Sequence, residues 1–432
     1  MSLLQSIRPI IVQYVLAIGN GLATFLAVFA INRLLAGRGE LFSQVSTLLY
    51  LLPLFLANID LGSHNEFLRR WPQCTRQQRG ELSAELLTLR VIFGALAIVF
   101  ALIHGLVSGF SPDLLAAQVI LIAAMVPLAL FSAYDSLQIA AGAAERAITV
   151  RLVRIAAVAA LVMGVFLWRD QSLLAAPLAY TALVCLCTLV IARPAGRVLF
   201  GTGWRVAAST MRRERLVAFG IESLKNGAYS LTIFLYGTLS LSILARFVGE
   251  TGLGPFNTAT YVAVPFFLAL QMINLVRTPI FAHVVRGGDP LTLSRIMGQH
   301  QRVLVCVGAI GLLGVGALAA LGLVGRLFPG QPAAQVSLLA LLIYAQNWFL
   351  QVATPFVAVG QMALRKPQMV VKFVVIWLIS LPFMVFGVAK YGIPGFVWGQ
   401  FAFFVPYLLH MIFDFRRADS WAIWRRGNHD EA

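Results

Sequence analysis

The sequence predicts an all-α polytopic membrane protein with about twelve transmembrane helices, in two six-helix bundles related as parallel repeats. Three observations point to this class: twelve long apolar stretches, a strict alternation of basic and cation-poor gaps between them, and a weak internal similarity between the two halves. With 59% apolar and 12% charged residues, a soluble fold is excluded.

A bilayer core is crossed by ~20 apolar helical residues. Uncharged runs of about that length give span 1 at 9–32, span 2 at 41–59, span 3 at 91–110 and span 4 at 114–134. Spans 5 and 6 fall at 155–168 and 171–192, the first completed if Arg151 and Arg154 snorkel to the interface. Spans 7, 8 and 9 follow at 226–245, 251–276 and 303–325. Pro329, Gln331 and Pro332 delay span 10 to about Ala333, and spans 11 and 12 occupy 373–389 and 391–413. Span 1 is too long for a removed signal peptide and has no small-residue cleavage site, so it is expected to stay as the first helix.

The formal net charge of +16 is a matter of topology. Of 33 Lys and Arg residues, 24 fall at the N-terminus, in the even-numbered gaps and in the tail, and six fall in the odd-numbered gaps. The positive-inside rule then puts both termini in the cytoplasm, with no nucleic-acid partner expected. Cys74, Cys185, Cys187 and Cys306 read as packing residues. The longest basic linker separates an N-terminal bundle (1–195) from a C-terminal bundle (216–416), with the linker at 196–215 and a cytoplasmic tail at 417–432.

The halves match at a steady offset. Ala116-Ala117-Gln118-Val119 opens span 4, and Ala333-Ala334-Gln335-Val336 opens span 10, 217 residues later. Arg33, Phe42, Tyr50, Pro53 and Phe55 parallel Arg246, Phe256, Tyr261, Pro265 and Phe267. A repeat of six helices enters the membrane twice from the same side, so the copies are parallel repeats around a cavity that opens alternately to either face. Pro53 and Pro265 suggest matched bends, and Gly308, Gly311, Gly314 and Gly316 suit close helix packing in span 9.

No catalytic or metal-ligating constellation stands out, and no phosphate-binding glycine loop occurs, so neither an enzyme nor a cofactor is expected. The informative residues are the few charges near the bilayer interior, where an ionised side chain costs ~2.5–3.5 kcal/mol or more. Lys225 has Glu222 three residues before it, the spacing of an intrahelical ion pair, and otherwise faces the cavity. Arg277 closes span 8 either as an interface anchor or as an anion ligand. Arg33 and Arg246 end spans 1 and 7 at equivalent positions on the cation-poor side, against the topological bias. Arg90, at the start of span 3, reads as a cytoplasmic-interface residue. The acids near the membrane are Asp60, Asp135 and Glu222, candidates for coupling to an ion. A cavity richer in cations than acids suits an anionic cargo, since Arg binds phosphate bidentately and Lys acts as a point charge.

The stretch from Phe25 to Arg70 carries a resemblance. An apolar helix ends in Asn32-Arg33-Leu34-Leu35-Ala36-Gly37, followed by Gly39-Glu40-Leu41-Phe42-Ser43-Gln44 and then Asp60-Leu61-Gly62 and Arg69. It resembles the MOP superfamily of flippases, in its polysaccharide or O-antigen transporter branch, a lipopolysaccharide- or exopolysaccharide-biosynthesis membrane protein. The resemblance implies a transporter that moves a polyprenyl-diphosphate-linked oligosaccharide to the outer leaflet by alternating access. It also implies that cavity cations, here Arg33, Lys225 and Arg277 with Arg246, hold the head group. Membrane lipids and other polysaccharide-assembly proteins are the remaining expected partners. The rival readings are a multidrug or cation antiporter, which would favour an acid within 9–32 where none occurs, and a polymerase or ligase, which would need a large external loop.

Overall fold

The computed structural model describes residues 26, 29–30, 33–35, 38–58, 60–140, 173–175, 177–186, 213–286, 290–364 and 368–416. Most of span 1, all of span 5, the ends of span 6, nearly all of the basic linker and the tail lie outside the described residues. The chain separates into two compact units, Met1–Gly254 and Pro255–Ala432.

In the first unit, α1 (Gly39–Asn58) is followed by a short polar helix, α2 (Ser63–Arg70), and a 3-10 turn at Trp71–Gln73. The long α3 (Arg76–Ser108) begins at a capping box, in which Thr75 and Gln78 each accept the other's backbone N–H. It ends at Gly109, whose φ of 73° is left-handed. Ser111 then caps α4 (Pro112–Ala123), with Pro112 in the first turn, where its missing N–H is not needed. Span 4 is interrupted at Ala124 and resumes as α5 (Met125–Ala140), because Pro127 cannot donate to the carbonyl one turn back. A short apolar helix, α6 (Pro177–Leu186), lies within span 6. The 40-residue α7 (Arg213–Gly252), kinked at Gly249, packs along α1, α2 and α3. Phe55, Phe100 and Phe234 join α1, α3 and α7 in an aromatic cluster with centroids 5.0–6.0 Å apart.

In the second unit, α8 (Gly254–Arg286) precedes α9 (Pro290–Ala320), the short α10 (Leu323–Leu327), α11 (Ala333–Leu364) and α12 (Gln368–Arg416). At Gly392, with φ 64° and ψ −145°, α12 reverses into two antiparallel legs, which are spans 11 and 12. Three of the four glycines of span 9 do what their spacing suggests. A methyl at Gly308 or Gly311 would strike Trp348 or Tyr344 of α11, and one at Gly314 would lie 2.5 Å from a ring carbon of Phe266. Tyr344 and Trp348 use that close approach to donate to the carbonyls of Gly308 and Leu304 at 3.0 and 3.1 Å.

Among the described residues, six helices are long and apolar enough to cross a membrane, and one of them, Val370–Phe413, contains both legs of α12. Several helices run well past their apolar cores. Span 3 begins at residue 91 by hydropathy, yet α3 starts at Arg76, because Gln, Glu, Leu and Arg are all good helix formers and extend the helix into its polar flank.

Candidate functional site

Arg90 lies in mid-helix and is fully buried, so the expectation of an interface residue does not hold. Extending α3 to Arg76 moves position 90 four turns inside the helix and turns it toward α2 and α5. Its Nη2 donates to Asp60 Oδ1 at 3.0 Å and to Ser136 Oγ at 2.8 Å, while Nε donates to Ser63 Oγ at 3.0 Å. Asp60 Oδ1 also accepts from Ser63 Oγ at 2.8 Å and from the backbone N–H of His64 at 2.6 Å. The His64 ring joins Ser136 through Nδ1 at 2.9 Å. One carboxylate thus caps the start of α2 and neutralises a buried guanidinium, the two conditions under which a buried charge is tolerated.

The Asp60-Leu61-Gly62 turn is tight. Leu61 has a φ of 38° and Gly62 one of 79°. Gly227 of α7 abuts this turn so closely that a Cβ there would collide with the Leu61 carbonyl. Burial pushes the His64 pKa below its ordinary value of 6.5, with Arg90 acting in the same direction and Asp60 opposing.

Of the other candidate charges, Lys225 and Glu222 lie on α7, the helix that abuts this turn. Lys225 lies two residues before Gly227 on α7, and its side chain is 66% exposed. It pairs with Glu222 at 2.7 Å, the (i, i+3) contact that the spacing suggests. Arg33 is exposed and stands 5.6 Å from the centroid of the Phe29 ring. Arg246, near the other end of α7, is also exposed and donates through Nε to the Val107 carbonyl at 2.8 Å. It lies across Gly109, where a Cβ would come within 2.9 Å of Nη1. Asp135 and Arg277 sit in α5 and α8, and their side chains lie outside what the structure describes.

Two elements escaped the sequence reading. Glu250, beside the Gly249 kink, accepts from Gln44 Nε2 at 2.9 Å, from Ser111 Oγ at 3.0 Å and from the Ser111 backbone N–H. It ties the end of α7 to the starts of α1 and α4. The second unit holds a counterpart of the Arg90 cluster without an Arg or a carboxylate. Asn274 of α8 donates to Gln351 Oε1 of α11 at 2.8 Å, and its Oδ1 lies 2.8 Å from His300 Nε2 of α9. Arg90, His300, Asn274 and Gln351 are all buried. In the repeat, spans 3 and 9 and spans 4 and 10 correspond. Both units therefore carry a buried polar cluster linking these spans to the end of span 2 or to span 8. The signal available in the sequence was an Arg with a Ser on each neighbouring helix, which spacing alone cannot align. Among the described residues, no group of three His, Cys, Asp or Glu is placed to hold a metal ion.

No family model and no curated protein matches the sequence. Solved structures do. An inward-facing multidrug resistance MATE family transporter of the MOP superfamily is 12% identical with a TM-score of 0.67, covering 96% of this chain and 99% of its own. The chain shares the fold of this transporter. The lipid II flippase MurJ, in an inward closed conformation, is 10% identical with a TM-score of 0.68 over 92% of this chain and 87% of its own. A MOP superfamily transporter from Pyrococcus furiosus, described as having a binding pocket of reverse polarity that suggests a different function, is 15% identical with a TM-score of 0.58 over 94% and 95%. The MOP fold carries twelve helices in two bundles, in agreement with the sequence reading of an all-α polytopic protein. Its solved neighbours here are transporters and a flippase.

Proposed function

We propose that the protein is a flippase that moves a polyprenyl-diphosphate-linked oligosaccharide, an O-antigen or exopolysaccharide repeat unit, across the bacterial inner membrane by alternating access. The observation that carries this reading is the state of the charges within the transporter fold. Arg33, Lys225 and Arg246 are exposed, Lys225 while paired with Glu222, whereas the Asp60 carboxylate is committed to the buried Arg90. Exposed cations suit a diphosphate, and a carboxylate committed to Arg90, Ser63 and His64 is poorly disposed to bind a cationic drug. The likeness to the lipid II flippase over most of both chains supports the same reading. In it, Arg33, Lys225 and Arg277 hold the head group, Arg246 stands at the far end of α7, and the termini face the cytoplasm. Partner proteins of polysaccharide assembly would supply and remove the substrate.

A cation or drug antiporter is the second reading, favoured by the MATE neighbours. Proteoliposomes separate the two. Flipping of a fluorescent lipid-linked oligosaccharide by the wild type, reduced in Arg33→Ala, Lys225→Ala and Arg277→Ala, is the expected result. Full activity in all three variants would remove the proposed site. Drug efflux driven by a proton or sodium gradient, without flipping, would establish the antiporter instead.

A further inference from the structure

The two legs of α12 meet backbone to backbone. A Cβ on Gly387 would strike the Gly395 carbonyl and the reverse also holds, while one on Gly399 would lie 2.5 Å from the Phe383 carbonyl oxygen. Beside this seam runs a groove of about 450 Å³, floored by the three glycines and walled by Phe383, Tyr391 and Trp398. These aromatic side chains are each more than half exposed. In a membrane-spanning hairpin such an apolar groove suits a lipid tail, and its volume falls within the ~300–1,000 Å³ of ordinary ligand sites.

Charge makes the groove selective. Lys390 lies two residues before the Gly392 turn, with Nζ 5.7 Å from the Phe386 centroid and 5.2 Å from that of Tyr391, which walls the groove. The aromatic faces hold the ammonium in place. In the sequence of the hairpin the one acid is Asp414, at the end opposite the turn. A second copy of the chain is disfavoured as occupant, because the small residues that would let another helix approach are already consumed between the two legs.

We propose that this groove is a binding site for an anionic glycerophospholipid, with one acyl chain along the glycine floor and the phosphate against Lys390. None of the residues that form it is among the proposed transport residues.

The test uses the full chain in phosphatidylcholine vesicles containing a minor fraction of phosphatidylglycerol, with bromine on the acyl chains of one lipid or the other. Bromine quenches tryptophan on contact, and the difference between wild type and Trp398→Phe isolates Trp398. The expected result is that brominated phosphatidylglycerol quenches Trp398 roughly two- to fivefold more than brominated phosphatidylcholine at equal mole fraction. Lys390→Gln should abolish that preference and Lys390→Arg retain it, both variants eluting as the wild type does on gel filtration. Equal quenching by the two lipids, or a preference that survives Lys390→Gln, overturns the proposal. So does a Trp398 that even fully brominated membranes fail to quench, the result expected if a second copy covers the groove.

Discussion

Arg90 and Asp60 form an ion pair at 3.0 Å in which the cation is almost wholly enclosed, its side chain 1% exposed, while the carboxylate is 35% exposed. The asymmetry decides how the pair responds to mutation. Asp60→Ala strands a guanidinium with no water to turn to, and should cost about 3–5 kcal/mol. Arg90→Met keeps the buried volume and leaves a carboxylate that solvent can reach, so it should cost less. The order of melting temperatures in detergent checks this, and a lower value for Arg90→Met than for Asp60→Ala would contradict it.

The pair between Lys225 and Glu222 predicts a different outcome. Both side chains are substantially exposed, at 66% and 39%, and surface pairs contribute only ~0–1 kcal/mol. Lys225→Ala should leave the melting temperature nearly unchanged while lowering flipping about tenfold or more, the scale of a lost hydrogen bond to a charged group. Parallel stability and transport measurements distinguish a ligand from a structural residue.

Glycines in α9 should not be equivalent. Gly311→Ala places a methyl against the Tyr344 hydroxyl and should cost about 1–3 kcal/mol as overpacking. Gly316 meets Leu341 no nearer than 3.9 Å, so Gly316→Ala should be neutral or slightly stabilising through its higher helix propensity. Thermal unfolding of the two variants side by side tests the close approach of α9 and α11.

His64, in α2 outside the apolar spans, gives the pH dependence. Its folded pKa lies below the ordinary 6.5, so below that pH the unfolded chain binds more protons than the folded one. Its contribution to stability should therefore be fully present above pH 6.5 and be lost as pH falls through 6.5 toward the lowered folded value. Melting temperatures from pH 7.5 to 5.5 should decline less steeply in His64→Gln than in the wild type.

Which parts were legible depended on the range of the interaction. Lys225 and Glu222 are three residues apart on one helix, and that spacing made their pair one of the two readings of Lys225. The glycines of α9 were legible as a packing face, but their partners Tyr344 and Trp348 were not. Arg90 was misplaced because hydropathy marks where a membrane helix becomes apolar and not where the helix begins. Good helix formers from Arg76 onward carried the helix outward and put position 90 inside.

The sequence by itself determined the class, because a bilayer demands ~20 apolar residues per crossing and biases cations to one side, and both are one-dimensional signals. It also determined the local contacts of single helices. Only the tertiary structure decided that Asp60 on a turn, Arg90 on α3 and Ser136 on α5 form one cluster, and that Asn274, His300 and Gln351 form its counterpart in the second unit. The reason is physical. A buried polar group is satisfied by whichever neighbour helix packing brings within hydrogen-bonding distance, and that neighbour is set by helix rotation and length.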